Sequence, residues 1–329
     1  MMDEPCASVS VLFVISAKKQ RHIDLQRVIK TARKYGMICD VAEVDALEAV
    51  RENTYDVIVH KVTEFAALSR QGDKKAARII DAFKAFIASQ PSSCVVVDPL
   101  ARSEVLLDRE LTFTKLRQCT TTHGTWRITT PTSAVIRSQD DLANLEARLS
   151  EAGVEVPVIC KSVTAHGSKA AHEMCLLLST QASPSIAPPF IAQTFVPHNA
   201  VLIKVFVVGD SFTVCHRPSI RNLQHNSATH APLCIPFDSH DVSKPHSESH
   251  LNVAGAHLLR ERVVDDDTVS AMVAAVREEF GLSLFGIDAV VEAGTHNLHV
   301  VDVNYFPGYA GVADFDVRLC RLLQAVTSS

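Results

Sequence analysis

Strand-like apolar segments alternate with amphipathic helical segments through the first hundred residues. The segment 74–89, for example, places Ile79, Phe83, Phe86 and Ile87 on one side of a helix. Parallel strands joined by helices produce this alternation, so it predicts a small parallel sheet with helices on both faces. The predicted elements are strands at 8–15, 37–44, 57–60 and 93–97 and helices at 21–35 and 74–89.

The rest of the chain mixes helices and strands, which predicts an α/β fold class overall. The threonine-rich stretch 120–132 predicts a mobile connection. The stretch 222–257, rich in Ser, His, Pro and Asn, predicts a long loop of the kind that often has a function. The predicted helices are 104–119, 140–152, 267–281 and 315–326, and the predicted strands are 156–160, 173–178, 190–196, 202–208, 211–216, 285–292 and 298–304.

Composition limits the partners of the chain. Its 329 residues include 47% hydrophobic and 21% charged residues, which allows two or three globular domains with sizeable cores. The net charge of −5 gives no general attraction for nucleic acid, although cations gathered in one cleft could still hold a very anionic ligand. We find no apolar run of the roughly 20 residues that a membrane span needs, and no secretory signal at the N-terminus.

The nine cysteines are scattered along the chain, with no CxxC pair. Their odd number and wide spacing argue against a disulfide framework or a zinc site made of paired cysteines. We therefore expect reduced thiols and a cytoplasmic protein. We also expect a monomer.

Oxygen ligands are concentrated in the segment HVVDVNYFPGY, residues 299–309. Alternate side chains share a face of a strand, so Asp302 and Asn304 point the same way. Asp288 lies on the preceding predicted strand, and it can sit beside Asp302 if the two strands pair. Carboxylate and amide oxygens suit Mg²⁺. The alternative is that both aspartates form ordinary salt bridges.

Two lysines follow or interrupt apolar strands and need an anion nearby. Lys161 ends the strand PVIC, and Lys204 lies within LIKVFVV. A nucleotide phosphate is one candidate partner, and a buried salt bridge is the other. The usual phosphate and catalytic signatures, GxxxxGK[ST], GxGxxG, the protein-kinase HRD and DFG motifs and the GxSxG elbow, are absent from the sequence.

Taken together, these segments resemble the inositol-tetrakisphosphate 1-kinase family, also called inositol 1,3,4-trisphosphate 5/6-kinases, which has the ATP-grasp fold. The resemblance runs in order along nearly the whole chain. The matching pieces are SAKK, VIVHKVT, VVVDPL, LLDR, VICK, AHG, HEM, FVPHNAVLIKVFVVGDS, RPS, SHDVSKP, LFGID and DVNYFPGYAGV.

This resemblance implies a Rossmann-like, inositol phosphate-binding domain at 1–108. It also implies two ATP-grasp subdomains, at 109–194 and 195–329, the second with the magnesium site. The implied activity is transfer of the ATP γ-phosphoryl group to a hydroxyl of an inositol tris- or tetrakisphosphate, with Mg²⁺ as cofactor and inositol polyphosphate and ATP as partners. The alternatives are an ATP-grasp carboxylate–amine ligase and a non-catalytic inositol phosphate-binding scaffold.

The family's functional positions transfer to this sequence residue by residue. The implied substrate contacts are Lys19, Lys61, His166, Lys204, Asn304 and Gly308. The implied ATP contacts are Arg109, Lys161, Gln193, Lys204, Ser219, Ser239 and Ser243. The implied metal ligands are Asp288, Asp302 and Asn304. Lys204 and His166 would lie near the transferred group. The loops 120–131 and 222–236 match the family least, so the sequence does not specify the phosphate isomer.

Overall fold

The computed structural model describes residues 8–165, 171–223, 233–255 and 264–328. The chain begins with a four-stranded parallel sheet in the order β2-β1-β3-β4. Alternate residues of β1 enter opposite cores, with Phe13 packing with Val28 on one face and Leu12 with Phe83 on the other. The parallel sheet covered by helices on both faces is therefore confirmed. Its strands are β1 (Val9–Val14), β2 (Met37–Ala42), β3 (Val57–His60) and β4 (Val95–Val97).

The helix predicted at 21–35 is two helices, and that prediction was wrong in detail. Asp24 adopts a left-handed conformation (φ 48°) and caps the second helix by accepting a hydrogen bond from the Arg27 amide. The helices of this region are α1 (Ala17–His22), α2 (Leu25–Lys34), α3 (Thr63–Arg70), α4 (Lys74–Ser89) and α5 (Leu100–Ser103), with 3₁₀ turns at Val44–Val50 and Glu104–Leu107.

A second sheet has five antiparallel strands in the order β13-β9-β8-β10-β7. One face packs on the helix Leu145–Glu151 through Leu145 and Leu149. On the opposite face, Leu176 belongs to a small buried cluster with Phe195 and Val242. The segment 222–257 was predicted to be one long loop. That prediction was wrong for Cys234–Asp238, which form an edge strand of this sheet. The strands are β7 (Ser133–Ile136), β8 (Val158–Ser162), β9 (Glu173–Leu177), β10 (Phe190–Thr194) and β13 (Cys234–Asp238), and the helices are α7 (Gln139–Ala143) and α8 (Leu145–Glu151).

A third sheet has six strands in the order β12-β11-β14-β15-β6-β5. The stretch 120–132, predicted to be a mobile connection, instead forms a hairpin that adds two strands to this sheet, with β6 parallel to β15. The strands are β5 (Thr121–His123), β6 (Trp126–Thr129), β11 (Val201–Val208), β12 (Ser211–Pro218), β14 (Leu284–Val291) and β15 (Asn297–Tyr305).

The six-stranded sheet shares one continuous apolar core with the N-terminal sheet. Val11 and Phe13 belong to the same buried cluster as Val205, Ile287 and the helix residues that cover them. None of the helices in the described part of the chain has both the length and the apolar character needed to cross a membrane. The remaining helices are α6 (Arg109–Gln118), α9 (Ser239–Ser243), α10 (Asp266–Phe280) and α11 (Phe315–Thr327).

Candidate functional site

A cavity of about 560 Å³ lies between the five-stranded and six-stranded sheets and extends to helix α1. Every predicted site residue that the structure describes lines it. Those residues are Lys19, Lys61, Arg109, Lys161, Gln193, Lys204, Ser219, Ser239, Ser243, Asp288, Asp302, Asn304 and Gly308. His166, the remaining predicted residue, lies outside the described residues.

The predicted oxygen ligands meet on adjacent strands. Lys204 on β11 pairs in register with Asp288 on β14, and Asp288 pairs with Asp302 on β15. Asn304 follows on the same face of β15 and pairs with Gly286. The expectation that the two aspartate-bearing strands pair and bring Asp288 beside Asp302 is therefore confirmed.

Hydrogen bonds connect these side chains. Lys204 Nζ lies 2.6 Å from Asp288 Oδ1, and Asn304 Nδ2 donates to Asp288 Oδ2 at 3.4 Å. Asp302 Oδ1 accepts a hydrogen bond from the Val303 amide at 2.9 Å. Lys204 therefore forms a salt bridge, which was one of the two partners expected from the sequence. Both residues of this salt bridge line the cavity.

The donor set fits a hard divalent cation. Two carboxylates directly opposite each other on neighbouring strands repel. Lys204 forms an ion pair with Asp288, while Lys161 and Arg109 attract Asp302 without a direct contact to it. The remaining carboxylate oxygens and the Asn304 amide oxygen are the ligand types that Mg²⁺ prefers. A second group of possible ligands, His123, Asp265 and Asp267, is exposed and does not line this cavity.

Lys161 faces this platform from the five-stranded sheet. Its ammonium group donates to Gln193 Oε1 at 2.7 Å and to the Val301 carbonyl at 3.2 Å, which joins the two sheets across the cavity. Burial lowers the pKa of Lys161 to about 8, although the Asp302 carboxylate opposes the shift. An anion bound between the sheets would restore the charged form.

Arg109 at the start of α6 is 3% exposed and holds the backbone around the cavity rim. Its guanidinium donates to the carbonyls of Ser162 at 2.6 Å and Ala171 at 3.0 Å. Burial lowers its pKa. Its Nε has no hydrogen-bond partner among the described residues. Arg109 therefore lines the cavity, but most of its donors already bind protein carbonyls.

The other end of the cavity is formed where the N-terminal sheet meets the carboxyl end of β15. Lys19 Nζ donates to the carbonyls of Phe306 at 2.7 Å and Pro307 at 2.5 Å, and it lies 3.9 Å from the centre of the Phe306 ring. Lys61 Nζ donates to the Tyr305 carbonyl. Burial lowers the pKa of Lys19 well below its usual value and that of Lys61 to about 7.

Besides His22 on α1, three histidines that were not predicted as site residues also line the cavity. The rings of His172 and His240 lie 3.9 Å apart, and burial lowers the pKa of His172. His198 Nδ1 donates to the Val196 carbonyl, and its Nε2 lies 2.7 Å from Ser219 Oγ. Each of the three lies in a segment that resembles the family: His172 in HEM, His240 in SHDVS and His198 in FVPHN. This resemblance was the feature of the sequence from which they could have been predicted.

The chain matches family models over almost its whole length. Residues 90–325 match the inositol 1,3,4-trisphosphate 5/6-kinase ATP-grasp domain, and residues 10–102 match the pre-ATP-grasp domain of the same family. The chain belongs to the inositol 1,3,4-trisphosphate 5/6-kinase family. Similar relatives are the inositol-tetrakisphosphate 1-kinase of Xenopus laevis, 34% identical over 95% of this chain and 77% of the relative, and that of Danio rerio, 32% identical over 92% and 74%.

Solved structures support the fold that the family membership implies. An ATP-grasp RimK domain protein from Sphaerobacter thermophilus superposes with a TM-score of 0.56 at 13% identity, covering 97% of this chain and 100% of the other. A D-cycloserine synthetase superposes with a TM-score of 0.57 at 14% identity, covering 97% and 99%. The fold is therefore ATP-grasp, and at this identity the likeness concerns the fold alone.

Proposed function

We propose that the protein is an ATP- and Mg²⁺-dependent inositol polyphosphate kinase that phosphorylates a hydroxyl of an inositol tris- or tetrakisphosphate. The observation that carries the proposal is one cavity whose two ends differ in chemistry. Asp288, Asp302 and Asn304 supply oxygen ligands at one end, and Lys19 and Lys61 supply amino groups that a bound phosphate would hold in the charged form at the other. Membership of the family agrees with this arrangement.

In this proposal the nucleotide lies between the two ATP-grasp sheets. Lys161 binds its α- or β-phosphate from the five-stranded sheet, while Ser219, Ser239 and Ser243 line the same space. Arg109 supports the binding segment by fixing the carbonyls of Ser162 and Ala171. Mg²⁺, when held by the oxygens of β14 and β15, offsets phosphate charge.

The chemical step is transfer of the γ-phosphoryl group. The inositol hydroxyl oxygen attacks the γ-phosphorus, the bond to the ADP oxygen breaks and the hydroxyl proton is released to solvent. Such transfers depend mainly on positioning and charge stabilisation. Lys204, 2.6 Å from Asp288, lies beside the proposed metal ligands and can donate to the transferred group. His172 lines the cavity in the described part of the HEM segment and is an additional candidate contact.

The two sides of the site come from different parts of the chain. The proposed boundaries are an inositol phosphate-binding domain at 1–108 and ATP-grasp subdomains at 109–194 and 195–329. We further propose that the protein acts as a monomer in the cytoplasm. The cysteines of the described residues are all free thiols, in agreement with a reducing compartment.

The Asp302→Ala variant tests the proposed metal site. Loss of this carboxylate should reduce Mg²⁺-dependent turnover by at least about 10³-fold, because metal charge stabilisation contributes several kcal/mol. Turnover is measured as ADP release with an inositol tetrakisphosphate. The matched control is Asp81→Ala, which removes an exposed carboxylate from α4 and should leave turnover unchanged. Near-normal activity of a folded Asp302→Ala protein would contradict the metal assignment.

A further inference from the structure

We propose that Lys18 and His22 on helix α1 form a second phosphate subsite. This subsite would bind a substrate phosphate group remote from the hydroxyl that reacts. The proposal rests on the proposed function. It specifies which part of the chain recognises the positions of the phosphate groups on the substrate. Neither residue was among the positions that the family resemblance implied.

Lys18 and His22 project from the same face of α1. Lys18 and His22 are four residues apart, so they share a face of α1, and both line the main cavity. Lys19 between them turns inward to the Phe306 and Pro307 carbonyls. The helix therefore contributes one buried and two exposed cationic or polar groups to the same end of the cavity.

A second cavity of about 140 Å³ adjoins this end. His22 and Gly308 line both cavities, so they mark the point where the two meet. A Cβ atom built on Gly308 would find no atom within 4 Å, which shows open space at this point. A phosphate group projecting from a ring bound near Lys19 and Lys61 has room to reach Lys18 and His22.

His22 lines the second cavity, and the other charged residues that line it already have partners. Arg27 is already paired with Asp316 at 2.9 Å and donates to the Ala313 carbonyl at 2.8 Å. Asp24 accepts the Arg27 amide as a helix cap. Within the described residues, Lys18 and His22 form no ion pair, so their donors are available.

The chemistry of the ligand requires such additional donors. An inositol polyphosphate carries several dianionic groups distributed around a ring, and Lys19 and Lys61 lie close together on one side. Lys18 offers an ammonium group, and His22 offers a ring N–H donor. A phosphate contacting both would gain charge-assisted hydrogen bonds. The subsite should therefore favour substrates with a phosphate on the side of the ring that faces α1.

The test compares Lys18→Gln, His22→Gln and the double variant with wild type. We measure KM and kcat for inositol tris-, tetrakis- and pentakisphosphates and KM for ATP. The double variant should raise KM by about tenfold for the substrates that fill the subsite, equivalent to about 1.4 kcal/mol. Its KM for ATP should stay within twofold, and Lys18→Arg should restore part of the loss. Lys30→Gln, which removes an exposed lysine from α2, is the matched control and should behave as wild type.

The outcomes separate this inference from the proposed function. An active wild type whose KM for every inositol phosphate is unchanged in the double variant would overturn the subsite alone. A uniform rise in KM for ATP and all substrates would also overturn it, because that result indicates a structural defect. A wild type that phosphorylates no inositol phosphate would overturn the proposed function, and the subsite with it.

Discussion

At the scale of single residues, three lysines around the cavity donate to uncharged oxygens. Lys19 and Lys61 bind carbonyls of residues 305–307, and Lys161 binds the Gln193 amide oxygen and the Val301 carbonyl. Neutral acceptors do not offset the loss of hydration of an ammonium group, which is why burial lowers the pKa of all three. Bound phosphates would supply the missing negative charge.

The pKa of Lys61, lowered to about 7, predicts a pH-dependent affinity for the inositol phosphate. Only the charged lysine binds phosphate strongly, and the charged fraction of the free enzyme falls as pH rises above 7. We expect KM for the inositol phosphate to rise between pH 7 and 8.5, by at most about tenfold per pH unit.

Steady-state kinetics across this range provide the measurement. In Lys61→Arg the side chain stays charged, so the pH dependence should flatten even if KM is higher overall. A wild-type KM that stays constant or falls from pH 7 to 8.5 would contradict the assignment of Lys61 as a substrate ligand.

Site residues could be predicted from the sequence where strand alternation determines which side chains lie together. Asp302 and Asn304 share a face because they are two residues apart, and Asp288 joins them through strand pairing. The carbonyl partners of Lys19 and Lys61 could not be predicted, because they lie more than 240 residues away in the sequence. Arg109 was expected to contact ATP. Its hydrogen bond to the Ser162 carbonyl could not be predicted, because the two residues meet only in the folded chain.

At the scale of elements, the start of α6 combines a cap with a cavity residue. Asp108 accepts hydrogen bonds from the amides of Glu110 at 2.8 Å and Leu111 at 3.2 Å. The next residue, Arg109, is the one that holds the carbonyls at the cavity rim. The cap therefore fixes the helix end from which Arg109 projects.

Asp108→Ala should lower the free energy of unfolding by about 1 kcal/mol, because two helix amides lose their acceptor. Urea unfolding at equilibrium measures the change. Asp108→Asn keeps a side-chain oxygen and should retain most of the stability. Equal stability of the Ala variant and wild type would show that the cap contributes nothing.

Long, periodic elements could be predicted, and short ones with distant partners could not. Helix α4 occupies the predicted residues 74–89. The strands β5 and β6 have three and four residues, and β6 pairs with β15 from the other end of the chain. Polar threonines in such a short hairpin give no alternating pattern, and only the tertiary pairing defines the strands.

At the scale of the whole molecule, Asp98 joins the N-terminal sheet to the six-stranded sheet. It follows β4, and its carboxylate accepts the amides of Ser283 at 2.6 Å and Leu284 at 2.7 Å. His60 donates to the Asp98 carbonyl, and Tyr305 donates to the His60 carbonyl. This chain of hydrogen bonds runs from the N-terminal sheet to the strand that carries the proposed metal ligands.

Asp98→Ala should lower the free energy of unfolding by about 3 kcal/mol, because it leaves two largely buried amides without an acceptor. The measurement is thermal and urea unfolding of the full chain. Asp81→Ala, the exposed control, should change stability by less than about 0.5 kcal/mol. If the two variants were equally stable, the hydrogen bonds of Asp98 would not stabilise the contact between the two sheets.

The reaction that we propose for this protein is transfer of a phosphoryl group from ATP to an inositol ring. The most direct test incubates the protein with Mg²⁺, ATP and individual inositol tris- and tetrakisphosphates and follows products by ³¹P NMR. We expect one new phosphate monoester per ADP formed, and no transfer without Mg²⁺ or with Asp302→Ala. No new ester with any inositol phosphate, together with ADP and inorganic phosphate formed only when a carboxylate and an amine are supplied, would contradict it and indicate a ligase.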